Sequence, residues 1–138
     1  MTKKNLKDIS SKMKNLDLCM MTTQSESGQL SSRPMSNNGD VEYDGNSYFF
    51  TYEKSTVVKD IQHKSQVNLS FKGKDDLFLS LEGKGVLIKN KAELEKHWID
   101  ELKQWFKEGI ETPGIIMIHI KAHKIKYWHK MEMEEVTL

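Results

Sequence analysis

Ser47-Tyr48-Phe49-Phe50-Thr51-Tyr52-Glu53-Lys54-Ser55-Thr56-Val57-Val58-Lys59-Asp60-Ile61 reads as an aromatic strand, a short polar loop and then an amphipathic helix opening at Ser55. Val57, Val58 and Ile61 carry that helix inward, and it ends near His63-Lys64. The first N–H groups of a helix have no intrahelical partner, and the helix dipole favours an anion beside them. A start flanked by Ser55, Thr56, Lys54 and Lys59 therefore suits a phosphate. The plainer use of the same junction is an ordinary serine cap. The rest of the chain has to separate the two.

Working outward, Leu6, Ile9, Met13 and Leu16 recur at three and four residues and predict an N-terminal helix. Leu16, Leu18 and Met20 then alternate, so a strand takes over near Asp17. Ser25-Glu26-Ser27-Gly28 is a hairpin turn, and the returning strand over 29–36 contains Arg33-Pro34-Met35. Proline has no N–H to give a ladder, so this strand belongs at a sheet edge or breaks at Pro34. Asn37-Asn38-Gly39-Asp40 and Asp44-Gly45-Asn46 are turns with at most a brief strand between them.

Beyond the opening stretch, Val67, Leu69 and Phe71 alternate with polar residues in a half-buried strand, and Gly73-Lys74-Asp75-Asp76 turns the chain. The longest strand pattern covers 77–88, and Gly83 and Gly85 predict a bulge or bend within it. Asn90 with Glu93 predicts a capped helix over 90–106, its apolar face made by Leu94, Trp98, Leu102, Trp105 and Phe106, with Gly109 as its stop. The apolar run at 115–120 predicts a strand covered on both faces. Ile125, Tyr127 and His129 mark a separate last strand, and the charged tail from Lys130 is expected to fray. Six or seven short-turned strands with three helices give an α+β class, the strands curling into a small antiparallel barrel.

At 138 residues, 37% hydrophobic and 30% charged, the chain reads as one globular domain over 1–138. A net charge of +1 is no footprint for nucleic acid. Lys72, Lys74, Lys84, Lys89 and Lys91 read as solvated surface or as guards on strand edges. Cys19 is the single cysteine, which excludes an intrachain disulfide. No apolar run reaches the roughly 20 residues of a spanning helix, and the expected setting is the cytoplasm.

Five histidines raise a metal hypothesis that strand geometry weakens, because His119 and His123 would stand about 13 Å apart along a strand. No nucleophile elbow, P-loop or dinucleotide loop is present, so any catalysis would rest on a cofactor. Arg33 is either a surface arginine or a guanidinium clamp for a phosphate.

Taken in order, several stretches resemble the FMN-binding split-barrel superfamily related to pyridoxamine 5′-phosphate oxidase. They are Arg33-Pro34-Met35, Tyr48-Phe49-Phe50-Thr51, Ser55 at a helix start, Val67-Asn68-Leu69-Ser70-Phe71, Ser80-Leu81-Glu82-Gly83-Lys84-Gly85 and the late Trp98, Trp105-Phe106 and Gly109. Within that superfamily the chain is most similar to the bacterial general stress proteins, from the first helix to Trp128. The resemblance implies a homodimer of antiparallel split β-barrels with an FMN in each cleft between subunits. Arg33 would contact the phosphate or ribityl region, Pro34 and Met35 would lie along the flavin, and Phe50 and Thr51 would meet its polar edge. Ser55 and Thr56 would hold the phosphate, and Trp105 of one subunit would shape the other's pocket.

Where such proteins carry a basic residue two places after the serine, this chain has Val57, and Lys54 or Lys59 would supply the charge. The acidic C-terminus lacks the arginine segment that grips pyridoxamine phosphate, so that activity is not expected. Flavin redox with a reduced nicotinamide donor is the implied chemistry. A non-catalytic module for a flavin, haem or deazaflavin is the alternative.

Overall fold

The computed structural model describes residues 3–13, 16, 18–36, 43–130 and 132–138. In chain order they form α1 (Lys3–Met13), β1 (Leu18–Gln24), β2 (Leu30–Ser36), β3 (Asn46–Tyr52), α2 (Thr56–His63), β4 (Gln66–Lys72), β5 (Leu77–Ile88), α3 (Lys91–His97), β6 (Ile115–His129) and β7 (Glu132–Thr137). One antiparallel sheet runs β2-β1-β4-β5-β6-β3, with β7 also on β6. It does not close: β2 and β3 are its two ends, and the class is an α+β split barrel. Proline in β2 is tolerated because β2 is an end strand, and the strand runs through Pro34 unbroken. The turn expected at 37–40 and the brief strand after it lie outside the described residues.

The sheet carries its core on one face along most of its width. Cys19, Met21, Val67, Leu69, Phe71, Leu79, Leu81 and Ile125 point into it, under α1 and α2. The first half of β6 and its neighbour β3 are covered on both faces, as the apolar run predicts. Ile116, Ile118, Ile120 and Phe49 face the main core, while Ile115, Met117 and Phe50 face a second cluster with Leu94, Leu102 and Phe106. Fully buried aliphatics of this kind stabilise by about 1.5–3 kcal/mol each.

Four sequence expectations are corrected. The strands expected at 115–120 and 125–129 are one strand, because the register shifts by a residue where Gly83 pairs Ala122 and Glu82 pairs Lys124. That extra residue turns a buried-on-both-faces segment into an alternating one without ending the ladder. A Cβ on Gly83 would stand 2.7 Å from the Lys121 carbonyl oxygen, so the bulge requires glycine there.

The tail does not fray; β7 pairs with the second half of β6, burying Val136 and placing Glu135 near Lys124 and Lys126. The helix expected over 90–106 ends at His97. Trp98 and Ile99 are extended, with ψ of 138° and 143°, and a 3-10 turn follows over Asp100–Gln104. The break lets the Trp98 ring meet Phe50 edge-on at 5.3 Å and lets Leu102 and Phe106 share the same cluster. Gly109 is not a helix stop; at φ +61° it opens a second short turn, Gly109–Glu111.

Candidate functional site

α2 ties the two ends of the sheet together. Its N-terminus follows the end strand β3 through a turn in which the Ser55 N–H donates to the Tyr52 carbonyl at 3.0 Å. Its buried face carries Val57, Val58, Asp60 and Ile61. Asp60 is only 5% exposed, and it is met by Arg33 from β2, the other end strand.

Three side chains form this buried link. Arg33 Nη1 donates to Thr23 Oγ1 at 2.6 Å and to the Met21 carbonyl at 3.2 Å. Thr23 Oγ1 donates in turn to Asp60 Oδ2 at 2.6 Å, and Arg33 Nη2 stands 3.7 Å from the same oxygen. Arg33 faces this way because it pairs with Met21, whose side chain points to the core. The charge of Arg33 is thus met by a buried carboxylate, and its remaining N–H groups make no hydrogen bond among the described residues. Sequence reading missed Thr23 and Asp60. The available sign was that Asp60 shares the buried helical face with Val57, three residues earlier.

Ser55 occupies the N-cap position with extended backbone, φ −70° and ψ 156°, yet its side chain makes no cap hydrogen bond. The hydroxyl is covered by protein and has no partner among the described residues. A buried polar group left unbonded costs about 1–3 kcal/mol, which a ligand oxygen would relieve. Thr56, Lys54 and Lys59 are exposed around it, and neither lysine forms an ion pair among the described residues. Val57 is buried at 4%, so the position lacking a basic residue is filled by core packing.

Met35 is half-buried against the main core, and Pro34 is exposed on the opposite face of β2. Phe50 is buried in the second cluster beside half-buried Thr51, on a strand with one backbone edge unpaired among the described residues. Trp105 is 52% exposed, its carbonyl accepting from the Tyr52 hydroxyl at 3.3 Å. The fold thus sets Arg33 against α2 at Asp60, while Trp105 stands beside Tyr52, the last residue of β3 before the turn into α2. A groove of about 380 Å³ lies beside Thr23, lined also by Asn68, Glu82 and His123; Arg33, Ser55 and Phe50 do not line it.

Among the described residues no group of three or more His, Cys, Asp or Glu side chains could hold a metal ion. His119 Nε2 is 2.7 Å from Asn46 Oδ1, and the ring stacks on Tyr48, whose ring also stacks on His97 at 3.5 Å. Burial, Lys121 and His97 hold the His119 imidazole below its usual pKa. Burial also pushes the Cys19 thiol up to about 12, which leaves it unreactive.

The outer face of the sheet holds an apolar row that sequence reading missed. Phe78, Trp128 and Met133 are successive cross-strand partners on β5, β6 and β7, and Leu18 and Met20 extend the same face on β1. All five are exposed. The sign was Trp128 alternating outward against buried Ile125 and Tyr127. No helix among the described residues is long and apolar enough to cross a membrane.

The family model described as pyridoxamine 5′-phosphate oxidase like matches residues 4–137. The chain belongs to that family. Among solved structures, a Clostridium acetobutylicum protein related to general stress protein 26 of Bacillus subtilis superposes with a TM-score of 0.84 at 18% identity, covering 100% of this chain and 97% of the other. General stress protein 26 of Bacillus anthracis gives 0.79 at 21% identity, covering 97% and 98%. The general stress FMN/FAD binding protein of Xanthomonas citri gives 0.77 at 19% identity, covering 99% and 96%. At these identities the superpositions establish the fold. No curated protein sequence matches.

Proposed function

We propose that this family member binds a flavin, FMN first among them, at the N-terminus of α2, and serves in flavin redox chemistry of the general-stress type. The observation that carries the reading is the covered, unbonded Ser55 hydroxyl at a helix start flanked by Lys54, Thr56 and Lys59. A donor there suits a phosphate oxygen, and the unpaired N–H groups of the first turn add to it. Arg33 fits the same group in part, through the N–H groups that Thr23 and Met21 leave unused. The unpaired edge of β3 at Phe50 and Thr51 offers backbone groups to a ring's polar rim. When bound, a flavin supplies hydride acceptance from a donor such as a reduced nicotinamide and delivery to an acceptor. The chain's own part is to anchor the phosphate, orient the ring and exclude water.

The reading extends to a homodimer. The row of Leu18, Met20, Phe78, Trp128 and Met133 is the apolar surface that a second copy would cover, and Trp105 would then shape the partner's pocket. Exposed apolar side chains gathered on one face in this way mark association sites.

The test is the visible spectrum of the purified protein, alone and during titration with FMN. A bound or acquired flavin spectrum is expected, together with a dimer by sedimentation that Trp128→Arg dissociates. No flavin taken up at any ratio would overturn the cofactor reading. A haem or deazaflavin spectrum in the purified protein would replace FMN by that ligand.

A further inference from the structure

Asp60 is an unusual neighbour for an anion site. Its Oδ2 lies 3.7 Å from Arg33 Nη2 and accepts from Thr23, whose hydroxyl oxygen itself accepts from Arg33. The carboxylate thus meets the guanidinium both directly and through a polarised hydroxyl, in a place shielded from solvent screening. No other cation pairs with Asp60 among the described residues. On the same face of α2, Val57 brings no charge. The buried pair therefore sums to zero: Arg33 supplies one positive charge and Asp60 one negative. A phosphate dianion approaching Arg33 would feel that carboxylate immediately behind it.

We infer that Asp60 sets the selectivity of this site between ligands that carry a terminal phosphate and those that lack it, by neutralising Arg33. The inference rests on the flavin reading for the identity of its ligand. It follows that the wild-type protein separates FMN from riboflavin only weakly, through hydroxyls, the helix start and exposed lysines. Asp60→Asn keeps the size of the side chain and an oxygen for the Thr23 hydroxyl while removing the charge. It converts the cradle into a phosphate-selective one.

The experiment measures FMN and riboflavin affinities in parallel by quenching of flavin fluorescence, for wild type, Asp60→Asn, Arg33→Gln and the double variant. Asp60→Asn is expected to raise the preference for FMN over riboflavin by roughly tenfold or more, the effect of one charge a few ångströms away. Arg33→Gln is expected to lower it by a similar factor, and the double variant to return it close to wild type. A purely structural role for Asp60 would weaken both flavins together and leave the ratio unmoved.

An unchanged ratio in Asp60→Asn, or a lower one, overturns the inference while leaving flavin binding intact. Should Asp60→Asn fail to fold, Arg33→Gln decides: an unaltered ratio overturns it. If no protein in the set binds either flavin, the flavin reading fails, and the Asp60 inference is then decided by inorganic phosphate. Asp60→Asn should gain more thermal stability from phosphate than wild type does, relative to chloride at equal ionic strength. Equal gains overturn it.

Discussion

α2 and α3 both start at a residue with extended backbone and a short polar side chain, and the two starts behave differently. At α3, Asn90 Oδ1 accepts from the Ala92 N–H at 2.9 Å and the Glu93 N–H at 3.2 Å. The expected reciprocal bond from Glu93 is absent; its carboxylate pairs with Lys96 at 3.0 Å. At α2, the Ser55 hydroxyl bonds to nothing described, although it is covered. A satisfied cap is a stability device, complete within the chain. An unsatisfied one, at the turn from an end strand into α2, is incomplete until something outside the chain supplies an acceptor.

Substitutions can break this contrast. The largest effect on stability is expected from Arg33→Ala, which strands the buried Asp60 carboxylate with only Thr23. A loss of about 2–3 kcal/mol by urea denaturation is expected, below the usual figure for a buried pair because Arg33 keeps partial solvent contact. A loss under about 0.5 kcal/mol would mean that the link between β2 and α2 carries little.

Ser55→Ala comes next and acts on binding. FMN affinity should fall by about 1–2 kcal/mol, read by fluorescence titration, while the urea midpoint stays level or rises because an unbonded hydroxyl has gone. A clear loss of stability without loss of affinity would make Ser55 an ordinary cap.

Asn90→Ala is the mirror experiment. It should cost about 1 kcal/mol of stability and leave FMN affinity alone.

The smallest effect concerns the end of α3, where His97 stacks on Tyr48 and Tyr48 on His119. The folded His119 imidazole titrates below its usual 6.5. The unfolded chain therefore takes up the proton first, and this contribution is full above that value and is lost as the pH falls below it. Urea midpoints of wild type and His119→Gln should draw together, or cross in favour of the variant, on going from neutral to mildly acid pH. Parallel profiles would show that the stack is insensitive to charge.

Most of the fold was legible. Alternation marked β1, β4 and β5, the doubled apolar run at 115–120 marked a strand covered on both faces, and Pro34 left β2 either at a sheet edge or broken, of which the fold takes the edge. The errors fell where long-range contacts overrule local pattern. Trp98 and Ile99 stand at helical spacing, but they are extended because the ring is wanted edge-on to Phe50. The tail looked too charged to order, yet the lysines of β6 give it a complementary edge and Val136 a place in the core. Of the candidate site, Ser55 and Arg33 were visible as residue types suited to phosphate, and their positions were not.

By itself, the sequence determined the periodicities, the turn chemistry and the helix start at Ser55, because these depend on backbone sterics and on neighbours within a few residues. Tertiary structure decided which charges meet. Asp60 and Arg33 are 27 residues apart in sequence, from 33 to 60, and nothing local links them. Only the curl of the sheet brings one end strand against the helix that follows the other, and so makes a buried carboxylate the partner of the arginine.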